Sequence, residues 1–318
     1  MRVAAVDLGT NSTRLLVTDL DDGRLDNVVR RQTVTRLGEG VDERKRLLPV
    51  PITRVRNVLV DFRSEIQKLG AERTLLVATS AVRDAENGEA FLGEIEWSYG
   101  FATRLLSGDE EAQLTFRGAA LGRDLAEETL LLDIGGGSTE FVVGGPDGLR
   151  FHESVDFGSV RLTERFLHTD PPTGEELDAC AHAARELLAE RIPDDVRPKT
   201  AIGVAGTITT IAALDLGLED YDPEPVHGHR LSRAGIAAQL ERLATLPLAE
   251  RREVPALDPD RAQVIVAGAV ILREALDRFG LDGIEASEHD LLDGAALEAA
   301  ELPEPEEGAA PPGAYTCC

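Results

Sequence analysis

The sequence predicts an α/β protein built from two similar domains with a cleft between them. Three observations carry this. The length, 318 residues, suggests about two domains at ~150 residues each. A strand–Asp–turn–strand unit occurs twice, in VAAVDLGTNSTRLLVTDL (3–20) and TLLLDIGGGSTEFVVGG (129–145). After each copy, helical patterns alternate with short apolar runs that read as buried strands.

The elements follow in order. Asp7-Leu8-Gly9-Thr10-Asn11-Ser12 aligns without a gap with Asp133-Ile134-Gly135-Gly136-Gly137-Ser138, and each copy reads as a β-hairpin. Residues 51–69 place apolar side chains at helical spacing behind prolines, and Gly70 ends that helix. TLLVAT (74–79) is a buried strand, and a helix spans 108–121 after Ser107-Gly108. The boundary falls in RDLAEE (123–128). Residues 1–125 form the N-terminal domain and 126–300 the second, whose last helix is free to pack back on the first. The second half carries a helix at 174–191, a strand at 200–206 and a helix from 207. Helices at 232–246 and 259–279, a strand at 283–287 and a helix at 290–301 follow. The tail 301–318 is rich in Pro, Glu and Ala, has no core pattern and is expected to be disordered.

Composition narrows the function classes. The 33 Lys+Arg against 58 Asp+Glu give a net charge of −25, so a general DNA or RNA binder, which needs a basic face, is not expected. A local basic cleft for a polyanionic substrate remains open. Three cysteines rule out a disulfide-stapled secreted fold, and no apolar run reaches the ~18 residues of a membrane span. The start, MRVAAVDLG, lacks signal-peptide anatomy, so a cytoplasmic protein without membrane partners is the default.

The turns carry the first chemical signal. A glycine-rich turn lets backbone N–H groups converge on an anion. Gly135-Gly136-Gly137-Ser138 suits this, and Gly9-Thr10-Asn11-Ser12 is a stiffer version with added side-chain donors. Asp7 and Asp133 sit at strand ends, where a carboxylate can hold Mg²⁺ directly or through water. Ordinary hairpin turns are the bland alternative, and their occurrence twice at domain spacing weighs against it. Gly206 and Thr207 open a helix, either as an anion site or as a connection capped by Thr207. Glu110 and Glu111 are either helix-dipole partners or a general base for water. Arg83 follows a buried strand and suits phosphate oxygens, and Arg14 is a weaker candidate of the same kind. The histidines of HGHR (227–230) and SEHD (287–290) match no zinc spacing.

The chain resembles the exopolyphosphatase / guanosine pentaphosphate phosphatase family, within the acetate kinase–sugar kinase–heat-shock protein–actin superfamily. The resemblance covers roughly residues 1–300. It rests on AAVDLGTNSTRLLV (4–17), ATSAVRDA (78–85), LLSGDEEA (105–112), LLLDIGGGSTEFV (130–142), GSVRLTERF (158–166), GVAGTITTIAAL (203–214), HGHRLS (227–232) and SEHDLLDGA (287–295). It implies two actin-like (ribonuclease H-like) domains and metal-dependent removal of the terminal phosphate of inorganic polyphosphate. It places the base on Glu111, metal and water positioning on Asp133, a further metal carboxylate on Glu140 with Asp7, and substrate phosphate on Arg83. Gly9, Thr10, Asn11, Ser12, Gly135, Gly136, Gly137, Ser138, Gly206 and Thr207 become phosphate-binding positions. Mg²⁺ or Mn²⁺ and a homodimer are implied too. Guanosine pentaphosphate is the alternative substrate. A superfamily kinase or ATPase and a non-catalytic polyphosphate or alarmone sensor are the other classes. Some members carry an arginine in an L-R-E-G segment where this chain reads Leu291-Leu292-Asp293-Gly294, which bears on long polyanions if that position meets substrate.

Overall fold

The computed structural model describes residues 1–21, 24–123, 126–146 and 148–303. The strands and helices in chain order begin with β1 (Arg2–Leu8), β2 (Ser12–Asp21), β3 (Arg24–Val34), α1 (Val41–Arg44), α2 (Pro49–Leu69), β4 (Arg73–Ala78), α3 (Ser80–Arg83), α4 (Gly88–Tyr99), β5 (Ala102–Leu105) and α5 (Gly108–Ala119). Then come β6 (Thr129–Ile134), β7 (Thr139–Gly145), β8 (Gly148–Val155), α6 (Ser159–Phe166), α7 (Gly174–Arg191), β9 (Thr200–Val204), α8 (Ala205–Leu216) and α9 (Pro223–Val226). The last are β10 (Arg230–Ser232), α10 (Arg233–Thr245), α11 (Leu248–Arg251), α12 (Ile265–Phe279), β11 (Gly283–Ala286) and α13 (Leu291–Glu301).

The chain divides into two units: Met1–Gly122 joined by the segment from Leu291, and Arg123–Asp290. Unit 1 holds a five-stranded sheet in the order β3-β2-β1-β4-β5, with β1, β2 and β3 antiparallel and β4 and β5 parallel to β1. Unit 2 repeats this order as β8-β7-β6-β9-β11 and adds β10 at the edge. Both units thus have the actin-like, ribonuclease H-like strand order.

Strand β1 is apolar on both faces because helices cover both. Ala4, Val6 and Leu8 pack with Val55, Leu59, Phe62 and Ile66 of α2, while Val3 and Ala5 pack with Leu114 of α5 and Leu291, Leu292 and Ala295 of α13. Each such buried Val, Leu or Phe contributes about 1.5–3 kcal/mol. Helix α2 starts at Pro49 and ends at Gly70, whose left-handed φ of 72° favours a residue without Cβ. Leu292 falls on the arginine of the L-R-E-G pattern considered in the sequence. It is fully buried in this core, and the equally buried Asp293 accepts hydrogen bonds from Arg30 of β3 at 3.0 and 3.3 Å. The position serves packing rather than polyanion binding.

Some boundaries differ from the sequence reading. Helix α12 begins at Ile265 rather than 259, because Asp258 turns the chain by accepting from Arg261 N–H and Asp260 N–H. Strand β9 stops at Val204, because Ala205 takes a left-handed φ of 64° and starts α8. Strands β3 and β8 carry no clean periodicity and were not anticipated, and helix α4 was overlooked although its buried Gly88, Phe91, Leu92 and Ile95 recur at helical spacing. The tail expected to be disordered lies outside the described residues from 304 on.

Candidate functional site

The two hairpin turns are built alike. Gly9 N–H donates to Ser12 O at 3.0 Å, and Gly135 N–H donates to Ser138 O at 3.1 Å. A Cβ on either glycine would meet the same serine oxygen at 3.1 Å. Each turn is braced from behind. Thr10 O accepts from Gly38 N–H, and Asn11 O accepts from Thr35 and Arg36 N–H. Gly135 O accepts from Ser159 N–H, and Gly136 O accepts from Val160 and Arg161 N–H at the start of α6. A trans peptide points its N–H opposite to its C=O. The amides of Asn11 and Ser12, and those of Gly136 and Gly137, therefore face away from the brace. Gly158 approaches so closely that a Cβ there would lie 2.4 Å from Gly136 C and O. Converged backbone donors of this kind suit an anion.

In unit 1, the turn is tied to helix α3 by a 2.8 Å hydrogen bond between Thr10 Oγ1 and Ser80 Oγ, both buried. Arg83 ends α3. Its Nη1 donates to Leu106 O at 2.8 Å and to Glu111 Oε2 at 3.3 Å. The sequence-derived phosphate arginine and candidate base are thus neighbours. The two adjacent glutamates have separate roles. Glu110 forms a capping box with Ser107 and a 2.5 Å ion pair with Arg104. The Arg104 guanidinium, with the Ser107 N–H, holds the Glu110 carboxyl well below the usual range, at about 2. Glu111 is turned inward and only 6 % exposed. Beside Arg83 this carboxylate is placed to act as a base.

The strand register shows where the two copies diverge. Asp7 faces Arg14 across β1 and β2, and Arg14 Nε donates to Asp7 Oδ2 at 2.8 Å. In unit 2 the equivalent pair is Asp133 and Glu140 across β6 and β7. A cation in the first copy is thus an acid in the second. Asp133 is 6 % and Glu140 1 % exposed, and Glu140 Oε1 accepts from Ser154 Oγ at 3.1 Å. Carboxylates directly opposite each other in a ladder repel unless a proton or cation joins them. Hard oxygen donors so placed suit Mg²⁺ or Mn²⁺, which takes one or two carboxylates and completes its shell with water and phosphate. Among the described residues no three His, Cys, Asp or Glu gather around a metal position. Asp7 fits the metal less well, since its carboxylate already carries the Arg14 cation.

At the third turn, α8 starts at Ala205 behind Val204, so Thr207 is not its cap. Gly206 has a different purpose. A Cβ there would lie 1.3 Å from Arg261 Nη1, so the buried guanidinium rests against bare backbone. Thr207 packs against Gly268 in the same manner. Arg261 was missed in the sequence, where DPDR shows no periodicity to mark it. The two histidine segments do meet. Glu288 N–H donates to His227 Nδ1 at 3.2 Å, and the His227 and His289 rings lie edge to face at 5.2 Å. His229 instead pairs with Asp215 at 2.9 Å. Tyr221 Oη donates to Glu288 Oε1 at 2.5 Å, and burial together with that carboxylate pushes the phenol's pKa up.

The model of the Ppx/GppA phosphatase family matches residues 16–301. The chain belongs to the Ppx/GppA phosphatase family. It is 39 % identical to Exopolyphosphatase 2 of Mycobacterium tuberculosis over 94 % of this chain and 98 % of that protein. A crystal structure of an exopolyphosphatase-like protein superposes with a TM-score of 0.89 at 37 % identity, covering 95 % of this chain and 99 % of that one. The Ppx/GppA family member of Aquifex aeolicus superposes with a TM-score of 0.80 at 33 % identity, covering 95 % and 97 %. Among the described residues, no helix of this Ppx/GppA chain is long and apolar enough to cross a membrane.

Proposed function

We propose that this chain is an exopolyphosphatase that hydrolyses the terminal phosphoanhydride of inorganic polyphosphate and releases orthophosphate. The observation that carries the reading is the buried Glu111 held beside Arg83 on the frame of a phosphate turn, in a chain of this family. The name of the Mycobacterium tuberculosis relative supports the substrate.

In this reading Arg83 and the turn amides hold non-bridging phosphate oxygens. Glu111 accepts a proton from water as the water attacks the terminal phosphorus in line, and the shortened chain leaves as the anion. Phosphoryl transfer of this kind depends on positioning and on charge stabilisation. Asp133 and Glu140 would hold Mg²⁺ or Mn²⁺, which supplies charge neutralisation on the phosphate oxygens. Gly206 and Thr207, expected from the sequence as phosphate positions, instead seat Arg261 and Gly268 and take no part in this reading. A cytoplasmic homodimer is part of the same proposal.

The test is phosphate release from long-chain polyphosphate, tripolyphosphate and guanosine pentaphosphate, with Mg²⁺ and with EDTA. Metal-dependent release from both polyphosphates is the expected result. Release from the nucleotide alone would replace the substrate. Binding without release would make the chain a sensor.

A further inference from the structure

The segment after β3 carries three consecutive cations, Arg44, Lys45 and Arg46, in a chain of net charge −25. All three are exposed. Among the described residues none of them has an ion pair or a side-chain hydrogen bond. Of the acids nearby, Glu39 pairs with Arg54 at 2.6 Å and Asp42 has a partner of its own, while the exposed Glu43 and Glu86 flank the run without an ion pair to it. Adjacent unpaired cations repel one another and attract a polyanion.

The run is held rigidly. Val41 and Leu47 on either side are buried in the core. Lys45 takes a left-handed φ of 52° and ψ of 29° at the end of α1. Lys45 O accepts from Glu86 N–H at 2.8 Å, Leu47 N–H donates to Asn87 Oδ1 at 2.8 Å, and Asn87 Nδ2 donates back to Leu47 O. These bonds connect the run to the chain just after α3, which ends in Arg83. On its other side the segment begins at the brace of the phosphate turn, where Gly38 N–H reaches Thr10 O and Arg36 N–H reaches Asn11 O. The cations thus stand on a fixed loop anchored both to the turn and to the Arg83 helix, within one unit.

We propose that Arg44-Lys45-Arg46 is a distal phosphate track that holds internal phosphates of a long inorganic polyphosphate whose end lies at the unit 1 turn. The inference rests on the polyphosphate reading above. It adds a preference for long chains over short ones. A nucleotide or tripolyphosphate is too short to use the track.

The test is equilibrium binding in EDTA, which needs no turnover. Wild type and the Arg44→Gln/Lys45→Asn/Arg46→Gln variant are compared on long-chain polyphosphate and on tripolyphosphate over a range of salt. Asparagine at 45 tolerates the left-handed backbone. The variant is expected to bind the long chain about tenfold more weakly, with a salt slope shallower by about 2, from three contacts at ~0.7 each. Tripolyphosphate binding stays unchanged, and so does thermal melting. The single Arg46→Glu variant gives the same selective loss. Equal binding of the long chain by wild type and variant would overturn the track, as would an equal loss on both ligands or no binding by wild type. Absence of phosphate release with this selective binding intact would remove the hydrolase reading and leave the track standing.

Discussion

Replacing Gly294 with alanine is predicted to damage catalysis from a residue outside the candidate site. Gly294 lies on α13 against α5. A Cβ there would stand 2.0 Å from Leu114 O, 2.8 Å from Leu114 C and 3.2 Å from Leu114 Cα. Ordinary carbon–oxygen contacts lie near ~3.3 Å, so the two helices must part by about 1.3 Å. Backbone cannot rotate aside as a flexible side chain does. Leu114 is one turn after Glu111, on the same face of α5, so Glu111 moves with it. Helix α13 is held in unit 1 by the Arg30–Asp293 and Arg104–Glu298 ion pairs and α5 by Arg104–Glu110, so the displacement is shared between the two helices and part of it falls on α5. Overpacking of this kind costs about 1–3 kcal/mol, and displacement of a reacting group by ~1 Å costs about 10²-fold in rate. The assay is kcat for polyphosphate beside thermal melting. The expected result is a fall in kcat on the order of 10²-fold in protein that remains folded at assay temperature. Wild-type kcat in a destabilised Gly294→Ala protein would refute the argument that this contact positions Glu111.

Other outcomes follow from the same geometry. Glu110→Gln is expected to keep turnover within a few-fold of wild type, because Glu110 caps α5. Its folded-state pKa lies below the unfolded value of about 4.5, at about 2, so its stabilisation is present above pH 4.5 and is lost as pH falls toward 2. Wild type and Glu110→Gln should therefore differ in denaturant midpoint at pH 7 and converge toward pH 2; a constant gap would contradict this. Gly206→Ala is expected to expel Arg261 from its place on α8 and to destabilise unit 2 by about 1–3 kcal/mol in urea unfolding. No change in the unfolding midpoint would show that the guanidinium is not held there. Burial pushes the Cys180 thiol up to about 12, so in a Cys317→Ser/Cys318→Ser background native protein should resist a thiol reagent at pH 8 and react on unfolding. Rapid native labelling would show that α7 opens.

Much of the site was legible because its chemistry is local in sequence. Asp7 to Ser12 and Asp133 to Ser138 each lie within one hairpin, so the gapless alignment foretold two turns closed by the same Gly–Ser hydrogen bond. The choice between Glu110 and Glu111 was made on the family resemblance, although Ser107-Gly108-Asp109-Glu110 has the S-x-x-E spacing of a capping box. In the structure that capping box and Arg104, a residue on the preceding strand, engage Glu110, while Glu111 turns toward Arg83. The contrast between Asp7–Arg14 and Asp133–Glu140 needed the strand register, which sets which side chains stand opposite. Arg261 remained hidden because its partner, Gly206, is 55 residues away and contributes only the lack of a side chain. Strand β3 was hidden for a simpler reason: RLDNVVRRQTV is an exposed edge strand with no buried face to impose alternation.

The central claim is that Glu111 accepts the proton of the attacking water. It is tested most directly by single-turnover phosphate release from polyphosphate by Glu111→Gln, with polyphosphate binding measured alongside. The account predicts a rate lower by about 10²–10⁴-fold with binding retained. A rate within tenfold of wild type would contradict it.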